Sequence, residues 1–199
     1  MTITKNILFT LGALTVVTAA VAANDTLQDS QGAAFLTTPD QPATETASKT
    51  PAHKANNVGT VHTLSLTGLD GVRHTLKDWK GKVVLLNFWA TWCSPCLYEI
   101  RDFVAYQEEY KSRGLQIVSV GLDEEKKLRN VQRTLEINYP VLVAEPKKND
   151  GLMRAWGNRG GIVPYSVVID RDGRVVYSLH GQMSREILDE NILPLLNKV

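Results

Sequence analysis

Apolar positions along this chain fall into three regimes. An uncharged apolar stretch runs from Ile7 to Ala23, follows Lys5 and ends in the small residues Ala20-Val21-Ala22-Ala23. From Asn24 to about Gly59 large apolar residues give way to Thr, Ala, Pro, Ser, Gln and Asn. From Val61 onward the periods of regular secondary structure appear. Val61, Leu64 and Leu66, then Val72 and Leu76, flank Gly68-Leu69-Asp70-Gly71, which predicts a hairpin. The continuous apolar run Lys82 to Trp89 predicts a strand buried on both faces. Helical spacing of Leu97, Ile100, Phe103, Val104, Gln107 and Tyr110 predicts a helix from Pro95 to about Arg113, stopped at Gly114. A strand at Leu115 to Val120 and a helix at Asp123 to Ile137 follow, then a short strand at Val141 to Val143 and a short helix at Leu152 to Trp156. Strands Tyr165 to Ile169 and Arg174 to Leu179 pair across Asp170-Arg171-Asp172-Gly173. An amphipathic helix, capped by Ser184, closes the pattern at Asn197. Strands alternating with helices, plus a terminal hairpin, predict an α/β domain with a mixed central sheet.

The chain of 199 residues therefore divides into a signal peptide or membrane anchor (1–23), a flexible low-complexity linker (24–59) and one folded domain (60–199). The small residues closing the first segment fit cleavage after Ala22 or Ala23. Its length sits at the lower limit for spanning a bilayer, which leaves an uncleaved anchor as the alternative. Either fate places the folded domain outside the cytoplasm, in the periplasm, with membrane contact only through the N-terminal segment if it is retained. No cysteine lies near the cut, which excludes lipid attachment there. The linker offers too few apolar groups to offset the entropy of ordering its backbone, and His53 within it is expected to be merely solvated. Loss of Lys5 with the leader leaves 21 basic against 21 acidic residues, so charge makes no case for nucleic acid or an anionic surface.

Only two cysteines occur, too few for a four-thiolate zinc site. Both stand in Trp92-Cys93-Ser94-Pro95-Cys96, between the buried strand and the first helix. At a helix start, free N–H groups and the helix dipole favour a thiolate on Cys93. Cys96, three residues on, is close enough to attack a mixed disulfide formed by Cys93. Pro95 costs nothing in a first turn, where its missing N–H has no partner. A permanent staple is the alternative, but closing so short a loop removes little entropy from the unfolded chain. A metal site would need further ligands, and His62, His74 and His180 stand singly.

The segment Val83 to Cys96 (Val-Val-Leu-Leu-Asn-Phe-Trp-Ala-Thr-Trp-Cys-Ser-Pro-Cys) resembles the active-site segment of the thioredoxin superfamily. The likeness is nearest to exported thiol-disulfide oxidoreductases of the TlpA and ResA kind, and Gly157 to Gly173 is similar to their proline loop. The resemblance covers about Val61 to Leu196. It implies a thioredoxin-like fold, a central mixed sheet flanked by helices, with an N-terminal β-hairpin and an inserted strand–helix unit at Asp123 to Val143. It implies that Cys93 is the attacking thiolate, Cys96 the resolving thiol, and the pair a redox-active disulfide needing no cofactor. Pro164 would be a cis-proline facing the cysteines, against a trans proline opening a strand, and Val163 would offer its backbone to a substrate chain. Glu99 would accept the Cys96 proton, against a surface glutamate in an ion pair. Trp92 would cover the site, against ordinary packing.

Three departures stand out. Thioredoxin's buried acid corresponds to Asn87, which takes no proton. Arg101 stands where many relatives carry a proline, and Gly161 lies three residues before Pro164 rather than two. His180-Gly181 is expected to approach the rim of the site, the glycine permitting close passage. Implied partners are disulfide-bearing exported proteins and a membrane electron donor of the thioredoxin-reducing type, with reduction of apocytochrome c or of oxidised thiols as the family's tasks. The alternatives are a disulfide oxidant or isomerase, and a copper or haem chaperone using both thiols. A thiol peroxidase is disfavoured because no proline-and-threonine pocket precedes Cys93.

Overall fold

The computed structural model describes residues 53–54, 63–145, 147 and 151–198. The expected leader (1–23) lies outside the described residues, as does the linker (24–59) apart from His53 and Lys54. Those two residues form β1 (His53–Lys54), whose backbone pairs with Ser178 and Tyr177. The reading of a flexible linker did not foresee this pairing, because a sheet edge offers unpaired backbone groups to any extended segment nearby.

The hairpin is present as β2 (Ser65–Thr67) and β3 (Arg73–Thr75), in antiparallel register from Ser65–Thr75 to Thr67–Arg73. A 3₁₀ turn at Leu76–Trp79 leads into β4 (Val83–Trp89), buried along its whole length. Next come α1 (Ser94–Tyr110) and, after a 3₁₀ turn at Lys111–Arg113, β5 (Leu115–Gly121). The expected helix end at Arg113 is therefore a tightened turn, closed by Gly114 at φ 93°.

The next helix, α2 (Glu125–Thr134), is shorter than the expected Asp123 to Ile137. Asp123 stays outside and accepts the Glu124 N–H at 2.8 Å, and Glu136 turns left-handed at φ 51°. Then follow β6 (Val141–Val143), α3 (Leu152–Ala155), β7 (Tyr165–Ile169), β8 (Val175–His180) and α4 (Arg185–Leu196). Arg174 is lost from the last strand because Asp170 Oδ1 captures its N–H at 2.9 Å within the turn. Ser184 caps α4, its hydroxyl accepting the Ile187 N–H.

The large sheet has the order β1-β8-β7-β4-β5-β6. β4, β5 and β6 run parallel, while β7 is antiparallel to both β4 and β8. Leu85, Trp89, Ile100, Phe103, Leu128 and Leu188 fill the layer beneath α1, α2 and α4. Leu86, Phe88, Trp79, Trp156 and Tyr165 fill the opposite layer, on the side of the hairpin and α3. No helix among the described residues is long and apolar enough to cross a membrane.

Gly121, the last residue of β5, lets α2 close down on the sheet. A Cβ there would stand 2.3 Å from a Cδ of Leu128, itself fully buried. Gly121→Ala should therefore lower stability by about 1–3 kcal/mol in urea denaturation, the usual cost of overfilling a packed layer. Unchanged stability would contradict this packing.

Candidate active site

β4 ends at Trp89, and the chain turns through Ala90, Thr91 and Trp92 before α1 begins. Three bonds fix that turn. The Cys93 N–H donates to the Ala90 carbonyl at 3.1 Å, and the Leu122 N–H to that of Trp89 at 2.8 Å. The Thr91 hydroxyl donates to Asp123. Burial alone would raise the Asp123 carboxyl, but hydrogen bonds from Thr91, the Glu124 N–H and Lys127 outweigh it and hold it below its ordinary range. The turn thus rests on an ionised carboxylate at neutral pH.

Cys93 is the N-cap residue of α1, and its Sγ accepts the Cys96 N–H at 3.3 Å. Pro95 lies in the first turn, which carries no acidic side chain to oppose negative charge on that sulfur. The two sulfurs are joined in a disulfide of 2.07 Å. Cys93 is 5% exposed and Cys96 fully buried, so of the two only Cys93 has any contact with solvent. Trp92 beside them is 72% exposed, which rules out ordinary core packing as its role.

Glu99 is fully buried on the same face of α1 as Cys96. No salt bridge is found for it among the described residues, contrary to the alternative of a surface ion pair. Oε1 accepts the Asn87 side-chain amide at 2.8 Å, and Oε2 accepts the Met183 N–H at 2.9 Å. Burial pushes its pKa from an ordinary 4.5 to about 7, against the two hydrogen bonds and with a small push from Asp102. A carboxyl so poised can exchange a proton at neutral pH. Asn87 also donates to Ser166 Oγ at 3.0 Å. At the sequence level Asn87 appears only as the loss of a base; in the fold it orients a carboxyl that comes from the helix instead. One polar residue inside an all-apolar strand was the signal for this. The Met183 N–H left none, since backbone donors carry no side-chain signature.

The Val163–Pro164 peptide bond is cis. Phe88 pairs with Tyr165, so Val163 and Pro164 lie beside the end of β4, at the turn that leads to Cys93. The Gly181 N–H donates to the Pro164 carbonyl at 2.8 Å. His180-Gly181 therefore does border the proline loop, though not for the expected reason. A Cβ on Gly181 would meet nothing within 4 Å, whereas its φ of 103° is what calls for glycine. The His180 ring packs on Tyr165, whose side chain belongs to the layer opposite α1, so it has no place near the sulfurs. Among the described residues no group of three or more His, Cys, Asp or Glu is placed to hold a metal ion.

A disulfide at the head of the helix that follows a central parallel strand, bordered by a cis-proline, defines a thioredoxin-like thiol-disulfide oxidoreductase. Comparison with known proteins agrees. Residues 59–178 match the model of the AhpC/TSA family, and the chain belongs to that family. The thiol-disulfide oxidoreductase ResA of Bacillus thuringiensis subsp. konkukian is 33% identical over 126 residues, 63% of this chain and 70% of that protein. A thioredoxin family thiol:disulfide interchange protein from Chlorobium tepidum TLS is 34% identical, with a TM-score of 0.60. A putative thiol:disulfide interchange protein DsbE from Chlorobium tepidum is 30% identical, with a TM-score of 0.61. Each of these two structures aligns over 68% of this chain and 94% of its own.

The raised carboxyl of Glu99 has a consequence for stability. Below about pH 4.5 the group is protonated in both the folded and the unfolded chain. Between there and about 7 the unfolded chain ionises while the folded one keeps its proton, so the contribution of Glu99 to folding falls as pH rises. The loss is complete above the folded-state pKa and amounts to about 3 kcal/mol. Glu99→Gln removes this slope. Relative to wild type its stability should rise across that window in urea denaturation, and parallel curves would contradict the raised pKa.

Proposed function

We propose that the protein is exported and reduces disulfides in extracytoplasmic protein substrates, apocytochrome c or oxidised thiols among them. The Cys93 thiolate attacks a substrate disulfide, forms a mixed disulfide and releases one substrate thiol. Glu99 takes the proton of Cys96, whose sulfur then attacks Cys93 Sγ and expels the second substrate thiolate. The product is the Cys93–Cys96 disulfide, which a membrane electron donor reduces with two electrons and two protons. Val163 presents its backbone to the substrate chain beside Pro164, and Trp92 shapes access to the sulfurs. The apolar segment at 7–23 directs export, cleaved as a signal or kept as an inner-membrane anchor, with the domain in the periplasm.

One observation carries the reducing direction: the residues between the cysteines, Ser94 and Pro95, are uncharged. Strongly oxidising dithiols owe their potential to a stabilised reduced thiolate, and no cationic side chain between these cysteines supplies that extra stabilisation. Equilibration with glutathione redox buffers should give a reduction potential below about −200 mV, and a value above about −150 mV, approaching the strong oxidants near −120 mV, would overturn this direction. Cys96→Ala should accumulate mixed disulfides between Cys93 and substrates in the native host, resolvable on non-reducing gels. The same gels of Cys93→Ala should show none, and equal adducts from both variants would overturn the assigned order of attack.

A further inference from the structure

Asn158 is 1% exposed, and both ends of its side-chain amide serve one residue four positions on. Its Nδ2 donates to the Ile162 carbonyl at 2.6 Å, and its Oδ1 accepts the Ile162 N–H at 3.2 Å. Its backbone is engaged as well, the N–H with the Met153 carbonyl at 2.9 Å and the carbonyl with the Gly161 N–H at 3.4 Å. Asn158 is thus a buried post around which the exposed loop Arg159–Ile162 is wound. Within the loop Gly161 takes φ 62°, and beside it the Tyr165 hydroxyl donates to the Trp156 carbonyl at 2.7 Å.

Ile162 and Pro164 have their backbones committed, the first to Asn158 and the second, through its carbonyl, to Gly181. Val163 between them makes no backbone hydrogen bond to any described residue. The Ile162 side chain is 62% exposed, although isoleucine is among the residues most often buried. A backbone donor and acceptor left open beside an exposed apolar side chain are what an extended peptide would engage.

We propose that Asn158 is a positioning residue for polypeptide substrates. By closing both backbone groups of Ile162 it keeps the Val163 N–H and C=O available to an extended substrate segment and turns the Ile162 side chain toward an apolar residue flanking the substrate cysteine. The inference rests on the reading of this site as a disulfide reductant. It predicts discrimination between disulfides that carry a peptide backbone and those that do not, since only the former use the loop.

The test compares wild type with Asn158→Ala and Asn158→Asp, using a disulfide-bonded peptide of apolar sequence and hydroxyethyl disulfide as substrates. Asn158→Ala should raise KM for the peptide roughly tenfold with kcat nearly unchanged, the scale expected for losing a pair of buried hydrogen bonds. Its rate with hydroxyethyl disulfide and its redox equilibrium with glutathione should stay within twofold of wild type. Asn158→Asp keeps the acceptor for the Ile162 N–H but faces the Ile162 carbonyl with an oxygen, so it should show the same split, and it serves if the alanine variant does not fold. Equal losses on both substrates, or an unchanged KM for the peptide, would overturn the assignment. A wild-type protein inert toward both disulfides would sink the reductant reading, and this one with it.

Discussion

The N–H of Cys96 points at the Sγ of Cys93, and that contact exists only because α1 begins immediately after the second of these two residues. A helix start leaves its first N–H groups without internal partners, and here one of them is spent on a sulfur. Everything upstream serves to place that start. β4 is buried from end to end and flanked on both sides, which fixes where its last residue lies. The turn between Trp89 and Cys93 is then tied down by Leu122 and by the Asp123 carboxylate. The Cys93 sulfur is thereby held at one spot at the end of the sheet, while its partner in the disulfide is sealed inside.

The second constraint is a carboxyl placed where charge is costly. Glu99 gains two hydrogen bonds that favour its anion, yet burial outweighs them. Stability is given up to hold a carboxyl of near-neutral pKa on the same helix face as the buried sulfur, an arrangement common at functional sites. Asn87 on the central strand and the Met183 N–H before α4 grip that carboxyl from two sides. Through these bonds the Glu99 carboxyl joins strand, active-site helix and C-terminal segment.

Much of this was legible in the residues themselves. The buried run of β4, the alternation of strand and helix, and the Cys-x-x-Cys at their junction each follow from local periodicity and from the physics of helix ends. What escaped was non-local. The pairing of His53–Lys54 with β8 depends on which sheet edge is left open, and a polar linker does not announce it. Asp123 reads as the first residue of a helix, but in the fold it leaves the helix to brace Thr91. Asn158 gave no sign at all, because its importance lies in reaching backbone groups four residues away. The expectation for Gly181 was right in place and wrong in cause, since a sequence does not distinguish a glycine needed for its φ from one needed for its size.

The chemistry of this site turns on the acidity of one sulfur. The rate of iodoacetamide alkylation of Cys93 in the reduced protein, followed across pH 4 to 10 with Cys96→Ala as background, reports that acidity directly. The contact with the α1 amide predicts a midpoint well below the 8.5 of a free cysteine, in the range of about 5 to 7.5. A midpoint at or above 8.5 would contradict it, because the start of the helix would then contribute nothing to the chemistry.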